Sequence, residues 1–189
     1  MKTASALLLG AVALTVLPSA TASAATNPDN SDSYAYSHPC STEQLSVQVS
    51  GWNAAPSQRL IEVRNLGANS CGLSYFPLVH LGDSHSADQS RNVKPLVPGG
   101  LGGPPAYALH AGQTAYAVVD LNPTGATTGT VPGIDEMNVL ADGDHMPNAD
   151  TLNFPLEAGT RVLNPKLGLY RDNIGDAIDS VKDADTPQS

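Results

Sequence analysis

The stretch "HLGDSHS", residues 80 to 86, places a serine behind an apolar run, and "ADGDHMPN" supplies Asp142 and His145 three residues apart. A serine hydrolase is assembled from such parts, with Ser84 as nucleophile, His145 as general base and Asp142 orienting the imidazole. The same stretches offer metal chemistry. His80, Asp83 and His85 carry ligand atoms, and Asp142, Asp144 and Asp150 of "DGDHMPNAD" are oxygen donors of the kind that hold calcium. The glycine-rich "VPGGLGGPP", Val97 to Pro105, raises phosphate binding as a third chemistry.

Each reading depends on an element that must position the group. Gly-Asp-Ser esterases carry their serine on a strand-to-helix turn, where the helix N-terminus helps bind the oxyanion. After Ser84 the chain carries Pro95, Pro98, Pro104 and Pro105, which interrupt any long helix. The Gly and Gly-x-Asn-Asp segments that complete such an oxyanion hole have no match, and only 61 residues separate Ser84 from His145. Gly82, Asp83 and Ser84 are ordinary turn formers. The expectation is therefore a polar turn, with a hydrolase built on Ser84, Asp142 and His145 as the alternative. No clear fourth ligand accompanies His80, Asp83 and His85, and "DGDHMPNAD" departs from a calcium loop at Met146 and Pro147 and lacks a closing Glu. The glycine run ends in Pro104-Pro105 rather than Lys-Ser/Thr, which reads as an inter-strand loop. Neither a catalytic set, a cofactor nor a metal is expected.

The elements that carry these residues read as strands. Leu45, Val47 and Val49 alternate with Ser46, Gln48 and Ser50, and Ile61 and Val63 alternate with Glu62 and Arg64. In "LSYFPLVHL", Leu73, Tyr75, Val79 and Leu81 fall on one face, with Phe76, Leu78 and His80 opposite. Ala115, Ala117, Val119 and Leu121 oppose Tyr116, Val118 and Asp120, and Met137 and Val139 continue the period of two. Without crossover helices such strands pair largely antiparallel and bury their apolar faces sheet on sheet. An all-β, antiparallel sandwich of about seven strands follows. Pro77 lacks an N–H and marks an edge or a bulge.

The ends differ from this pattern. Lys2, the apolar run Ala6 to Leu17 and the small residues Ala22-Ser23-Ala24 form a signal peptide (residues 1–24), cleaved after Ala24. Residues 25–39 are polar, with Pro28 and Pro39, and read as a flexible spacer. The domain spans 40–170. Residues 171–189, with five Asp against one Arg and one Lys, read as an acidic tail, a short helix or disordered.

Removal of 24 residues leaves 165, suited to one domain. Eight basic against 18 acidic residues then give a net charge of −10. Such a field repels nucleic acid and anionic lipid. No second long apolar stretch exists, so no membrane insertion is expected after cleavage. Cys40 and Cys71 both lie in the exported part, where two thiols of one domain pair as a disulfide.

"CGLSYFPLVHL" has the form Cys-x-Leu-x-x-(Tyr/Phe)-Pro-x-Val-x-Leu, which resembles the signature of a secreted actinobacterial family, domain of unknown function 4232. "CSTEQLSVQV", "IEVRN" and "LHAGQTAYAVVDL" resemble its other pieces, in the same order over roughly residues 40 to 170. Tyr75 stands where a Gly is common, and the family's frequent second Cys pair is missing. The resemblance implies an immunoglobulin-like β-sandwich with the first Cys tied to the second, and it brings no established activity. The expected function is that of a secreted, non-enzymatic binding or interaction module for an extracellular or cell-envelope ligand. A passive structural cell-surface protein is a further alternative.

Overall fold

A computed structural model describes residues 28–188. The expected signal peptide, residues 1–24, and residues 25–27 of the expected spacer lie outside the described residues. The fold is a sandwich of short strands, with eleven of them among the described residues rather than about seven. One layer is a six-stranded sheet. Its strands are β1 (Leu45–Trp52), β2 (Ala55–Asn65), β5 (Leu96–Pro98), β7 (Thr114–Asp120), β10 (Lys166–Leu167) and β11 (Ala184–Pro187), in the order β1-β2-β7-β10-β5-β11. Opposite lie the pair β3 (Cys71–Leu73) with β6 (Tyr107–Leu109) and the triplet β4 (Leu78–Gly82), β8 (Glu136–Leu140) and β9 (Leu152–Pro155), ordered β4-β8-β9. All pairings are antiparallel except β10 with β5.

The period-two residues explain which faces meet. Ile61 and Val63 of β2 and Ala115, Ala117 and Val119 of β7 are fully buried in one core with Leu73, Val79, Leu81, Met137 and Val139 from the opposite layer. Full burial of each Val, Leu or Ile contributes about 1.5–3 kcal/mol. The single strand suggested by "LSYFPLVHL" is instead two strands. Between β3 and β4 the chain turns through Ser74–Pro77, where the Ser74 hydroxyl donates to the Phe76 carbonyl at 2.8 Å. Pro77 has no N–H for a ladder, so the break falls beside it.

The outer face of the six-stranded sheet is also apolar at Leu60 and Val118. These pack against Ala177 and Val181 in and just after a short helix, α2 (Ile174–Ser180). Asn173 caps that helix, its side chain accepting from the Asp176 N–H at 2.9 Å. The tail therefore is not disordered, and β11 beyond the helix pairs with β5. Burial of Ala177 and Val181 on the sheet outweighs the short helix's own poor propensity and its crowded Asp residues.

The described part of the spacer is likewise packed rather than flexible. A one-turn helix, α1 (Asp32–Ala35), is capped by Ser31 and buries Ala35 completely. Backbone bonds fasten it: Ser70 N–H donates to the Asp29 carbonyl at 2.9 Å, and Gly72 N–H to the His38 carbonyl at 2.9 Å. Gly72 is required here, since a Cβ would lie 2.6 Å from the Ala35 carbonyl oxygen. The spacer carries no apolar period because it docks through backbone groups, one methyl and polar side chains, among them Asn30, which accepts from the Ala111 N–H at 2.6 Å. Cys40 and Cys71 form the disulfide that joins this segment to β3.

Candidate functional site

Ser84 follows β4 in a polar turn. Its N–H and hydroxyl both donate to the Asp135 carboxylate, at 2.7 and 2.9 Å. His85 Nδ1 lies 3.1 Å from the Ser84 hydroxyl and 3.1 Å from the same carboxylate. These bonds hold the Asp135 carboxyl below the usual carboxylate range, the Ser84 N–H contributing most. The trio resembles a hydrolase triad in composition only. A relay needs serine on one ring nitrogen and carboxylate on the other, whereas both here meet Nδ1. The His85 side chain is 85% exposed, so nothing excludes water around it.

Asp142 and His145 stand elsewhere. The β4–β8 ladder runs from Leu78 opposite Leu140 to Gly82 opposite Glu136. Ser84 lies beyond the Gly82 end, and Asp142 beyond the Leu140 end. Five paired residues at roughly 3.4 Å each separate them. The proposed Ser84–His145–Asp142 set is therefore not assembled, because the two loops leave opposite ends of one strand pair.

Asp142 has a different role. Its side chain is completely buried and accepts from the N–H groups of Ser74 at 2.9 Å, Asp144 at 3.0 Å and His145 at 3.0 Å. His145 Nδ1 adds a contact at 2.8 Å. One carboxylate thus folds the 142–146 turn and ties it to the end of β3. The same bonds occupy the oxygens that calcium would need. Nearby, the buried Tyr170 hydroxyl donates to the Ala141 carbonyl at 2.8 Å, and burial, then the charge of Asp142, pushes that phenol upward.

Of the three residues considered as metal ligands, Asp83 and His85 come together but His80 does not join them. His80 sits within β4 opposite Asn138, and its Nε2 is buried with no hydrogen-bond partner. Desolvation, with the charge of Lys94 adding to it, holds its imidazole below the ordinary value. Asp135 takes its place: Asp83, His85 and Asp135 bring one donor atom each within 4.8 Å of one another. This is the group among the described residues with the donors to hold a divalent ion. Sequence reading missed Asp135 because it lies 51 residues from Ser84. The Asp135 N–H donation to the Gly82 carbonyl at 3.0 Å brings the two loops together.

The glycine-rich loop that follows β5 leads into β6 rather than a helix, as a phosphate cradle would require. With Tyr75, Leu78, Asp144 and Gln188, residues of this loop line an open cleft of about 440 Å³. That volume suits a small ligand.

The order of these pieces agrees with one known family. The model of a domain of unknown function, DUF4232, matches residues 40–168. The chain belongs to this family. The matched range runs from the disulfide's first cysteine through β10, and it contains Ser84, Asp135, Asp142 and His145. Packing of α1 and of the α2–β11 segment extends the DUF4232 core at both ends. No curated protein and no solved structure matches the chain.

Proposed function

We propose that this protein is an exported, non-enzymatic binding module of the cell envelope or the surrounding medium, which holds its ligand in the cleft beside the Gly99–Pro105 loop. The observation that carries the reading is the cleft, where Tyr75 and Leu78 offer apolar surface and Asp144 a carboxylate. The polar groups that would do chemistry are instead committed to folding, Asp142 above all. The disulfide and the lack of any helix long and apolar enough to cross a membrane among the described residues are compatible with an extracellular site. The net charge of −9 favours neutral or cationic ligands over nucleic acid.

The test compares capture from cell-wall and culture extracts by the native chain and by a Leu101→Asp, Asp144→Lys variant, which changes two positions lining the cleft. A species retained only by the native chain supports the reading. Identical retention by both chains, or Ser84-dependent hydrolysis of short-chain aryl esters, overturns it.

A further inference from the structure

The outer edge of the six-stranded sheet is β1, and on that side it has no neighbouring strand among the described residues. Exposed edges invite strand addition unless charge, proline or a covering group blocks them. Three other outer strands, β11, β9 and β4, carry such blocks. β11 contains Asp185 and Pro187, and β9 ends in Pro155. The edge of β4 is covered by Gln188, whose side-chain amide donates to the Pro77 carbonyl at 3.0 Å and accepts from the Val79 N–H at 3.4 Å. β1 has none of these. Its eight residues, "LSVQVSGW", hold no ionisable group and no proline.

The inward-pointing residues of β1 are not fully covered either. Leu45, Val47 and Val49 are only half-buried against the core. Leu45 and Val47 line an apolar cleft of about 190 Å³ with Met146 and Leu152, and Leu152 is 48% exposed. The sandwich is thus open along this side, with aliphatic surface at its mouth.

The sequence of the strand says what fits there. Ser46-Val47-Gln48-Val49-Ser50 reads identically in both directions. Antiparallel pairing of two copies about a two-fold axis at Gln48 sets Val47 against Val49 of the second copy, and Ser46 against its Ser50. Leu45 then meets the second copy's Gly51. From Ser46 to Ser50 like side chains oppose one another on a shared face, and every pair is reciprocal, as an isologous contact requires. A chain of net charge −9 repels its own copy elsewhere, and a charge-free strand is where two copies approach without that cost.

We propose that β1 is a self-association edge, at which two copies join their six-stranded sheets antiparallel about Gln48. A seven-residue strand contact is small, so the dimer is weak and concentration-dependent. The proposal is independent of the ligand cleft, whose lining residues it does not use.

The test places a single cysteine at Gln48. The native cysteines are paired, so the new thiol is the free one. Under mild oxidation Gln48→Cys gives a covalent dimer. Ser46→Cys and Ser50→Cys each give far less alone, whereas a mixture of the two cross-links. Gln48→Lys is the complementary variant, because Gln48 pairs with Glu62 in its own sheet and the lysine is accommodated there. Across the two-fold axis it sets like charges opposite each other, and the dimer dissociation constant rises on the order of tenfold or more. Sedimentation equilibrium to roughly 1 mM covers the weak range expected of so small an interface. A monomer throughout, equal cross-linking at Ser46 and Gln48, or indifference to Gln48→Lys overturns the proposal.

Discussion

The Asp142 carboxylate accepts the Ser74 N–H at 2.9 Å across 68 residues of sequence. It does so while also accepting the N–H groups of Asp144 and His145, so one buried side chain closes a turn and anchors it to the neighbouring strand pair. Asp142→Ala leaves three backbone donors without their acceptor. It is expected to cost about 3 kcal/mol in denaturant unfolding, whereas Ser84→Ala, on an exposed turn, changes stability within about 0.5 kcal/mol. Equal effects would contradict the structural role assigned to Asp142.

The disulfide closes a span of 31 residues between the docked N-terminal segment and β3. The chain-entropy argument gives about 3.5 kcal/mol of stabilisation for a loop of that length. Reduction should therefore lower the midpoint of chemical unfolding markedly, and α1 should lose hydrogen-exchange protection before the β2–β7 ladder does. An unchanged midpoint after complete reduction would refute this.

His80 gives the protein a pH dependence of definite sign. Its folded value lies below the unfolded value of 6.5, chiefly through burial and then through Lys94. The unfolded chain takes up this proton first as pH falls, so the His80 contribution is complete above the unfolded value and is lost as pH drops toward the folded one. Comparing unfolding midpoints at about pH 7.5 and about pH 5.5, the native chain should lose more stability on acidification than a His80→Gln variant. A larger loss in the variant would reverse the assignment.

Helix α2 sits directly on Gly168. A Cβ there would lie 2.7 Å from the Ala177 carbonyl oxygen and closer still to the Ser180 hydroxyl, which already bonds the Leu169 N–H at 2.9 Å. Gly168→Ala must push the helix off the sheet, with an expected cost of about 2 kcal/mol. Thermal melts of the variant measure it, and a change below about 0.5 kcal/mol would mean that α2 is not seated as described.

The strands that were readable in advance are those with one face on the core and the other elsewhere. In β2 and β7 the alternation of Ile61 and Val63 with Glu62 and Arg64, and of Ala115, Ala117 and Val119 with Tyr116 and Val118, states which residues face the core. β5, β6 and β10 have two or three residues each and are too short to show a period. The 171–189 segment, with five Asp against one Arg and one Lys, reads as an acidic tail, a short helix or disordered. What decided the outcome was a non-local fact, the apolar outer face at Leu60 and Val118. The same holds at the candidate sites. Ser84 and His85 are visible locally, whereas Asp135 reaches them only through the β4–β8 pairing. Asp142 looked like a catalytic partner because spacing cannot reveal that its acceptors are already taken.

Strand β5 lies between β10 and β11, which begin at Lys166 and Ala184. During synthesis, Leu96–Pro98 therefore emerge long before either neighbour exists. No earlier described strand of this sheet supplies a substitute, since β1 and β2 lie at its other end. The β5 end of this layer is therefore closed only after Ala184–Pro187 has been made, so an early strand waits for two of the latest described segments.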